Sequence, residues 1–263
     1  MNAWPGWRRL TSRTGILTIH LASLIAGGLY VVRVDHRQWF FGDEWEFLGG
    51  ARRTLPWYDQ LLKPHNEHWS TAPYVLYRLL EASFGIRTYW PYILTAILLH
   101  LVIVHLVWRL MLQARVTPWV ATVVVLPLIV LGAGAENLLW AFQIGFLGSI
   151  ALGLATILLV NHDGAWQRRD WCGLALALFA LLWSGVTVPL VAVAALVVLL
   201  RRGIRPAAAF AVPPAVVYAA WALAYPPPTN LAASSVSEFV DGLWPYLHTG
   251  LSTNASAAVL SPV

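Results

Sequence analysis

Two adjacent carboxylates, Asp43 and Glu44, stand in a stretch that concentrates the ionisable residues of this chain. The chain has only 12 Asp and Glu among 263 residues, and seven of these twelve lie within residues 33–88. Adjacent carboxylates can remove a proton from a hydroxyl nucleophile or supply oxygen ligands to a divalent cation. Most such pairs lie in solvated loops. This pair gains interest because it follows a long apolar segment and precedes Trp45.

A second polar element is the stretch Pro64-His65-Asn66-Glu67-His68-Trp69. Two histidines three residues apart, with a carboxylate between them, could bind zinc or cradle a phosphate. The HExxH spacing of zinc hydrolases is absent, so a protease is not supported. Three interpretations therefore stay open: a metal site, a cationic hydrogen-bonding cluster for an anion, and a surface loop with titrating histidines.

The third element is Glu136, followed by Asn137 and Gln143. A carboxylate between two apolar segments, in a chain with few acids, indicates a functional role. It could equally cap the N-terminus of the next helix, where the helix dipole favours a negative charge. Both interpretations carry equal weight.

The composition places these elements in an integral membrane protein. Hydrophobic residues make up 59% of the chain and charged residues 11%, with a mean hydropathy of +0.64, far from the usual soluble mixture. The net charge of +5 does not indicate a nucleic-acid partner, because the basic residues form short clusters between apolar segments. The single cysteine, Cys172, excludes a disulfide framework and a thiolate metal site.

The apolar segments predict an all-α polytopic transmembrane bundle of about seven spans. The first span is too long for the apolar core of a signal peptide, and the basic residues before it place the N-terminus in the cytoplasm. His20 within it is predicted to be an interhelical hydrogen-bond partner. The predicted spans cover residues 14–32, 89–112, 118–132, 138–160, two halves of 171–200, and 207–225.

Residues 171–200 are too long for one straight helix across a bilayer. Ser184-Gly185 and Pro189 offer a break. A hairpin of two short helices would return Arg201 and Arg202 to the cytoplasm, as the positive-inside rule favours.

Two segments are predicted to lie outside the membrane, each with an amphipathic helix. In residues 33–88 the helix begins at Ser70 or Thr71 and ends near Gly85, with its apolar face opposite a face of Tyr74, Tyr77, Arg78 and Glu81. In residues 226–263 a capping box of Ser235 and Glu238 begins the second helix. This segment is expected to lead into a C-terminal part that the chain lacks.

These features together resemble the membrane glycosyltransferases of the GT-C superfamily, which include protein O-mannosyltransferases, aminoarabinose transferases and oligosaccharyltransferases. The resemblance is carried by Asp43-Glu44 in a long first outer loop, the surface helix of that loop and the short paired spans. The stretches 65–69 and 135–143 look more like uncharacterised bacterial members. The resemblance covers about residues 14–225, so residues 1–225 form a GT-C-like N-terminal module.

The resemblance implies transfer of a sugar from a polyprenyl-phosphate donor to a glycan, lipid or protein acceptor at the extracytoplasmic face of the plasma (inner) membrane. Asp43 would orient and deprotonate the acceptor hydroxyl, and Glu44 would support it or hold a cation. The residues implied for the donor phosphate are His65, His68, Lys63, Arg52, Arg53 and Arg78. Those implied for the sugar or acceptor are Trp45, Asn66, Trp69, Asn137 and Gln143. A divalent cation such as Mg, Mn or Ca would be held by Asp43, Glu67 and Glu136.

Two other functions compete with transfer. A transporter or flippase of a lipid-linked solute should carry ionisable groups inside its spans and show related halves, whereas here the acids avoid the spans and no repeat of the polar stretches is found. A non-catalytic membrane subunit would use the polar loop as an interface.

Overall fold

The computed structural model describes residues 13–35, 37–49, 51–130, 134–226 and 235–256. In these ranges the secondary structure is helical and contains no strand. The α-helices, numbered here in chain order, are α1 Arg13–Val34, α2 Glu44–Leu48, α3 Trp57–Leu62, α4 Thr71–Phe84, α5 Trp90–Gln113, α6 Pro118–Ile129, α7 Ala135–Leu139, α8 Ile144–Val160, α9 Arg168–Ala180, α10 Thr187–Arg202, α11 Ile204–Ala224 and α12 Val236–Ser256. Two short 3-10 helices cover Ala51–Thr54 and Ala141–Gln143.

Local chemistry explains several helix ends. Proline stands in the first turn of α5 and at the first residue of α6, where its fixed φ suits a helix and its missing N–H costs no hydrogen bond. Gly203 separates α10 from α11 with φ of 85°, a backbone conformation that glycine adopts without steric cost.

Four helical segments of the described chain are long and apolar enough to cross a membrane. They are Thr14–Val34, Trp90–Gln113, Ala141–Val160 and Ile204–Ala224. The helix α6 is apolar but has only 12 residues, about 18 Å. An all-helical membrane bundle is thus supported, with four segments of spanning length where about seven were predicted.

Contacts between helices show that successive members of the bundle alternate in direction between its two ends, in the order α1, α5, α6, α8, α9, α10 and α11. Gln113 Nε2 donates to the carbonyl of Asn161 at 2.8 Å, so α5 and α8 end together. Trp221 Nε1 donates to the carbonyl of Leu62 at 2.7 Å, which puts the C-terminal end of α11 against residues 35–88. We call that side the loop end and the opposite side the basic end.

The predicted hairpin in residues 171–200 is confirmed. Helix α9 ends at Ala180 and α10 begins at Thr187, whose Oγ1 donates to the Ala180 carbonyl at 2.7 Å. At the basic end Arg202 Nη2 donates to Asp170 Oδ1 at 2.7 Å, so the two helices run antiparallel. The hairpin tip, residues 181–186, meets the start of α4, where Ala72 N donates to the Leu182 carbonyl at 2.8 Å.

Helix α8 is the most buried of the four long segments and packs closely on the hairpin tip. A Cβ added to Gly148 would collide with the ring of Trp183. We therefore expect Gly148→Ala to destabilise the fold by about 1–3 kcal/mol, measured by thermal unfolding of the purified protein. Gly242→Ala in α12 is the control, because an added Cβ there meets nothing within 4 Å. Equal thermal stability of both variants would contradict this close packing.

The two amphipathic helices are present, but the face assigned to α4 needs correction. The helix runs from Thr71 to Phe84, with Gly85 after it at φ 66°. Tyr74 and Tyr77, expected on its polar face, are buried against the loop and α5, while Leu79 is 60% exposed. This face packs inward because the hydroxyls of both tyrosines find polar partners there, Gln60 for Tyr74 and Glu44 for Tyr77. In α12, Ser235 Oγ accepts from Glu238 N at 3.1 Å, as the predicted cap requires.

Candidate functional site

A tight turn brings the two loop histidines together. His65 N donates to the His68 carbonyl and His68 N donates to the His65 carbonyl, each at 3.0 Å. Asn66 at the corner has φ of 50°, a left-handed conformation that asparagine tolerates better than most residues. Both imidazoles consequently line one small cavity.

Two half-exposed carboxylates flank the His65 ring. Asp43 Oδ2 lies 3.2 Å from His65 Nε2. Glu46 Oε2 lies 2.9 Å from His65 Nδ1, a close ion-pair contact whose angles are not those of a hydrogen bond. Asp43 directly precedes α2, and Glu46 lies in its first turn, a spacing that puts both on one face. The His65 side chain is 5% exposed and the two carboxylates are 47% and 48% exposed, so a buried ring contacts two acids that solvent can reach.

The surroundings push the two histidines towards different protonation states. Burial disfavours the charged His65 ring, but contacts with Glu46 and Asp43 outweigh it and raise the pKa of His65 above its ordinary value. The contact with His65 in turn lowers the pKa of Glu46. Burial lowers the pKa of His68, whose Nε2 is 3.7 Å from Glu67 Oε1. The surroundings thus favour the charged form of His65 and the neutral form of His68.

His65 should stabilise the fold at low pH and not at high pH. Because its pKa is raised on folding, its contribution is complete below the unfolded value of about 6.5 and is lost as the pH rises through the folded-state value. The difference in melting temperature between wild type and His65→Gln should therefore shrink from about pH 5.5 to about pH 9. His248→Gln, on the exposed side of α12, should show no such trend. A difference that grows with pH would contradict the assignment.

Glu44 lies in the interior and does not face the site. It is 0% exposed. Its Oε1 accepts from the hydroxyls of Tyr77 at 2.6 Å and Tyr89 at 3.1 Å, and its Oε2 accepts from Phe41 N at 2.9 Å. Burial raises the pKa of Glu44, against the opposing effect of these donors. The expectation that Glu44 assists catalysis or holds a cation is therefore corrected, because its oxygens are already engaged in holding the loop.

The same network ties the loop to the chain before α8. The hydroxyl of Tyr89 accepts from Ala141 N at 2.8 Å while it donates to Glu44. Ala141 is thereby held beside residues 35–88, although it is far from Glu44 in sequence.

The cavity beside the histidines measures about 20 Å³, which is room for about one water molecule. Trp183 and Ser184 of the hairpin tip form part of its wall. Within the described chain, His68 Nδ1 and Trp183 Nε1 are buried without a hydrogen-bond partner. Each of these groups is costly to leave unpaired in the interior.

All three arginines predicted to bind the donor phosphate are engaged with other groups of the protein. Arg52 is 4% exposed and donates to the carbonyls of Gln60 and Lys63 at 2.8 and 2.9 Å. These hydrogen bonds hold the two ends of residues 52–63 together. Arg53 and Arg78 both pair with Glu81. Only Lys63, with an exposed side chain, remains beside the histidine turn, near enough to Glu46 to help lower its pKa.

The residues predicted to contact the sugar differ in whether their side chains are exposed or buried. Trp45 is 44% exposed next to Asp43, and Asn66 is exposed at the turn. Trp69 is buried and stacks on Trp221 with ring centroids 5.0 Å apart, because two apolar ring faces meet where α11 packs on the loop. That role is therefore corrected.

The last two predicted contacts lie apart from the histidines. Gln143 is 6% exposed. Asn137 lines another cavity, together with His100. Neither belongs to the wall of the histidine cavity.

The predicted cation ligands do not form a set in the part of the chain that the structure covers. No three His, Cys, Asp or Glu side chains there have an arrangement that could hold a metal ion. Asp43 contacts His65, whereas Glu67 Oε1 lies 3.7 Å from His68 Nε2. Glu136 is in α7, and its side chain lies outside the described residues.

Sequence reasoning missed Glu46 and the hairpin tip. Glu46 could have been found from its i, i+3 spacing to Asp43, once a helical turn was assumed there. Ser184 was predicted only as part of the break in residues 171–200, and Trp183 had no local signal, since an aromatic residue in an apolar stretch is compatible with a helix interior.

Comparison of the chain with protein-family models, with curated proteins and with solved structures finds no match.

Proposed function

We propose that this chain is a membrane glycosyltransferase that moves a sugar from a polyprenyl-phosphate donor to an acceptor hydroxyl, with Asp43 as the general base. One observation carries the proposal: the half-exposed Asp43 carboxylate is fixed by a buried His65 that a second carboxylate, Glu46, contacts on its other side. A base oriented by a fixed partner within hydrogen-bond reach is what proton removal from a hydroxyl requires.

The chemistry divides between the two histidines and Asp43. Asp43 takes the proton of the acceptor hydroxyl while the hydroxyl oxygen bonds to the anomeric carbon of the donor. The bond from that carbon to the phosphate oxygen breaks, and the lipid phosphate leaves with the electron pair. His65 orients Asp43 through its 3.2 Å contact. His68 and Lys63 lie where donors can compensate the charge of the departing phosphate.

The membrane arrangement is part of the same proposal. The seven alternating helices cross the bilayer seven times, with α9 and α10 as two short spans. Arg115 and Arg202 belong to the basic end, which the positive-inside rule assigns to the cytoplasm. The loop end then faces the extracytoplasmic side of the plasma (inner) membrane.

A divalent cation is not used in this mechanism. The donors expected for it fit poorly, since Asp43 is already in contact with His65 and Glu44 is enclosed by three hydrogen bonds. Cation dependence of transfer stays a prediction from the resemblance.

One feature favours the alternative of transport. His20 Nε2 lies 3.2 Å from His105 Nδ1, and its ring stacks on Trp108 with centroids 4.4 Å apart. Both histidines lie within apolar segments of spanning length, where ionisable groups often mark a transport path. The contact also fulfils the expected interhelical role of His20, which a static bundle would need equally.

The decisive experiment follows transfer of labelled sugar from polyprenyl-phosphate donors by the purified protein, wild type against Asp43→Asn. Loss of transfer in the variant supports the enzyme, and wild-type protein that moves the donor across a bilayer without transfer supports the alternative.

A further inference from the structure

A cavity separate from the two described above lies at the loop end, between the chain that follows α1 and the start of α5. It measures about 200 Å³. Its wall combines a carboxyl, a guanidinium, an amide, a hydroxyl and aromatic rings, from Asp35, Arg87, Gln38, Thr88, Trp39, Trp90 and neighbouring residues. The function proposed above uses none of these groups.

The carboxyl of Asp35 is the unusual member of this wall. It is 3% exposed, and its Oδ1 lacks a hydrogen-bond partner within the described chain. No ion pair joins it to Arg87 among the residues that the structure covers. Burial, and then the nearby Glu44, raise the pKa of Asp35 to about 7. A buried acceptor without a partner is costly, and a ligand hydroxyl in the cavity would remove that cost.

Two indole rings complete the chemistry. Trp39 is 46% exposed and Trp90 is 42% exposed, and both line the cavity. A pyranose ring presents apolar C–H faces that pack on indole and hydroxyls that donate to carboxylate and accept from guanidinium. Large aromatic surfaces with a few placed polar groups are typical of sites that fix the orientation of a small ligand.

One residue of the cavity wall also contacts the hydrogen-bond network around Glu44. Tyr89 lines the cavity and donates to Glu44 at 3.1 Å. Glu44 directly follows Asp43 in the chain. A ligand in the cavity would therefore contact a residue that holds Glu44, the neighbour of Asp43 in the chain.

We propose that this cavity binds a pyranose ring. The sugar binding stands on the cavity alone, whereas any part that it plays in the transfer reaction rests on the proposed function. The sugar could be part of a free glycan or of a glycolipid headgroup, since both present the same ring.

Binding can be measured without any transfer assay. The purified protein, in a detergent without a sugar headgroup, is titrated with methyl α- and β-pyranosides of glucose, mannose and galactose and followed by tryptophan fluorescence and calorimetry. Octyl glycosides in lipid nanodiscs form a second arm. We expect saturable binding of at least one of these sugars, weakened about tenfold or more in Asp35→Asn and in Trp39→Ala, as the loss of a buried hydrogen bond or of an aromatic surface predicts.

Trp57→Ala is the matched control, because Trp57 is 73% exposed and does not line the cavity. It should bind sugar as the wild type does. Binding of octyl glycosides only would assign the site to a glycolipid, and binding of the methyl glycosides to a glycan. Lack of binding in both arms, or equal binding by all variants, would overturn the proposal. An Asp43→Asn protein that still binds sugar but does not transfer it keeps the two proposals separate.

Discussion

Replacing Asp43 by asparagine should reduce sugar transfer by about 10²- to 10⁴-fold, the range that a positioned general base contributes. Asparagine keeps the size of the side chain and an oxygen that can accept from His65, but it cannot take the proton of an acceptor hydroxyl. Asp43 is 47% exposed, so the thermal stability of the variant should stay within about 0.5 kcal/mol of wild type. Single-turnover transfer of labelled sugar, with a melting curve on the same sample, measures both quantities.

The control for this change is Asp59→Asn. Asp59 lies in the same outer segment and accepts from the hydroxyl of Tyr225 at 3.3 Å, a contact that an amide oxygen can also make. Transfer by this variant should equal that of wild type. Undiminished transfer by Asp43→Asn would remove Asp43 as the base and the proposed mechanism with it.

Replacing the neighbouring Glu44 by alanine should destabilise the protein by more than about 3 kcal/mol. Three donors, from Tyr77, Tyr89 and Phe41, would lose their acceptor in the interior, and each unsatisfied buried group costs about 1–3 kcal/mol. For a chain of this size the melting temperature should fall by at least about 6 °C. Thermal unfolding in detergent, followed by tryptophan fluorescence, measures the fall.

Glu67→Ala serves as the comparison for Glu44→Ala. Glu67 is 49% exposed and its one ion-pair contact is 3.7 Å long, so its loss should change stability by no more than about 0.5 kcal/mol. If Glu44→Ala has the same melting temperature as the wild type, the network does not stabilise the loop, and the structural role assigned to Glu44 is wrong.

These two changes separate residues that are indistinguishable in sequence. Asp43 and Glu44 are adjacent acids, yet one is half exposed beside an imidazole and the other is enclosed by two tyrosine hydroxyls and a backbone amide. The turn into α2 directs their side chains to opposite sides. For this reason the proposed general base and a buried organising group can occupy consecutive positions.

Tertiary packing also decided which basic and aromatic residues remain available for a ligand. Arg53 and Arg78 were expected at a phosphate but pair with Glu81, since nothing local tells which acid a loop arginine will meet. Trp69 was expected at a sugar, but α11, about 150 residues later in the chain, covers its ring face with Trp221. Such long-range pairings carry no periodic signal in one sequence.

The sequence by itself determined the helical membrane character, the polar loop and the break in residues 171–200, because apolar content, charge placement and glycine or proline positions act over a few turns of chain. Only the tertiary structure decided that Asp43 and Glu46 flank His65, that Glu44 is withdrawn, and that the hairpin tip closes the histidine cavity. Those outcomes depend on which side chains become buried together. Burial is a property of the packed bundle, since the same carboxylate is exposed or enclosed according to the helices that surround it.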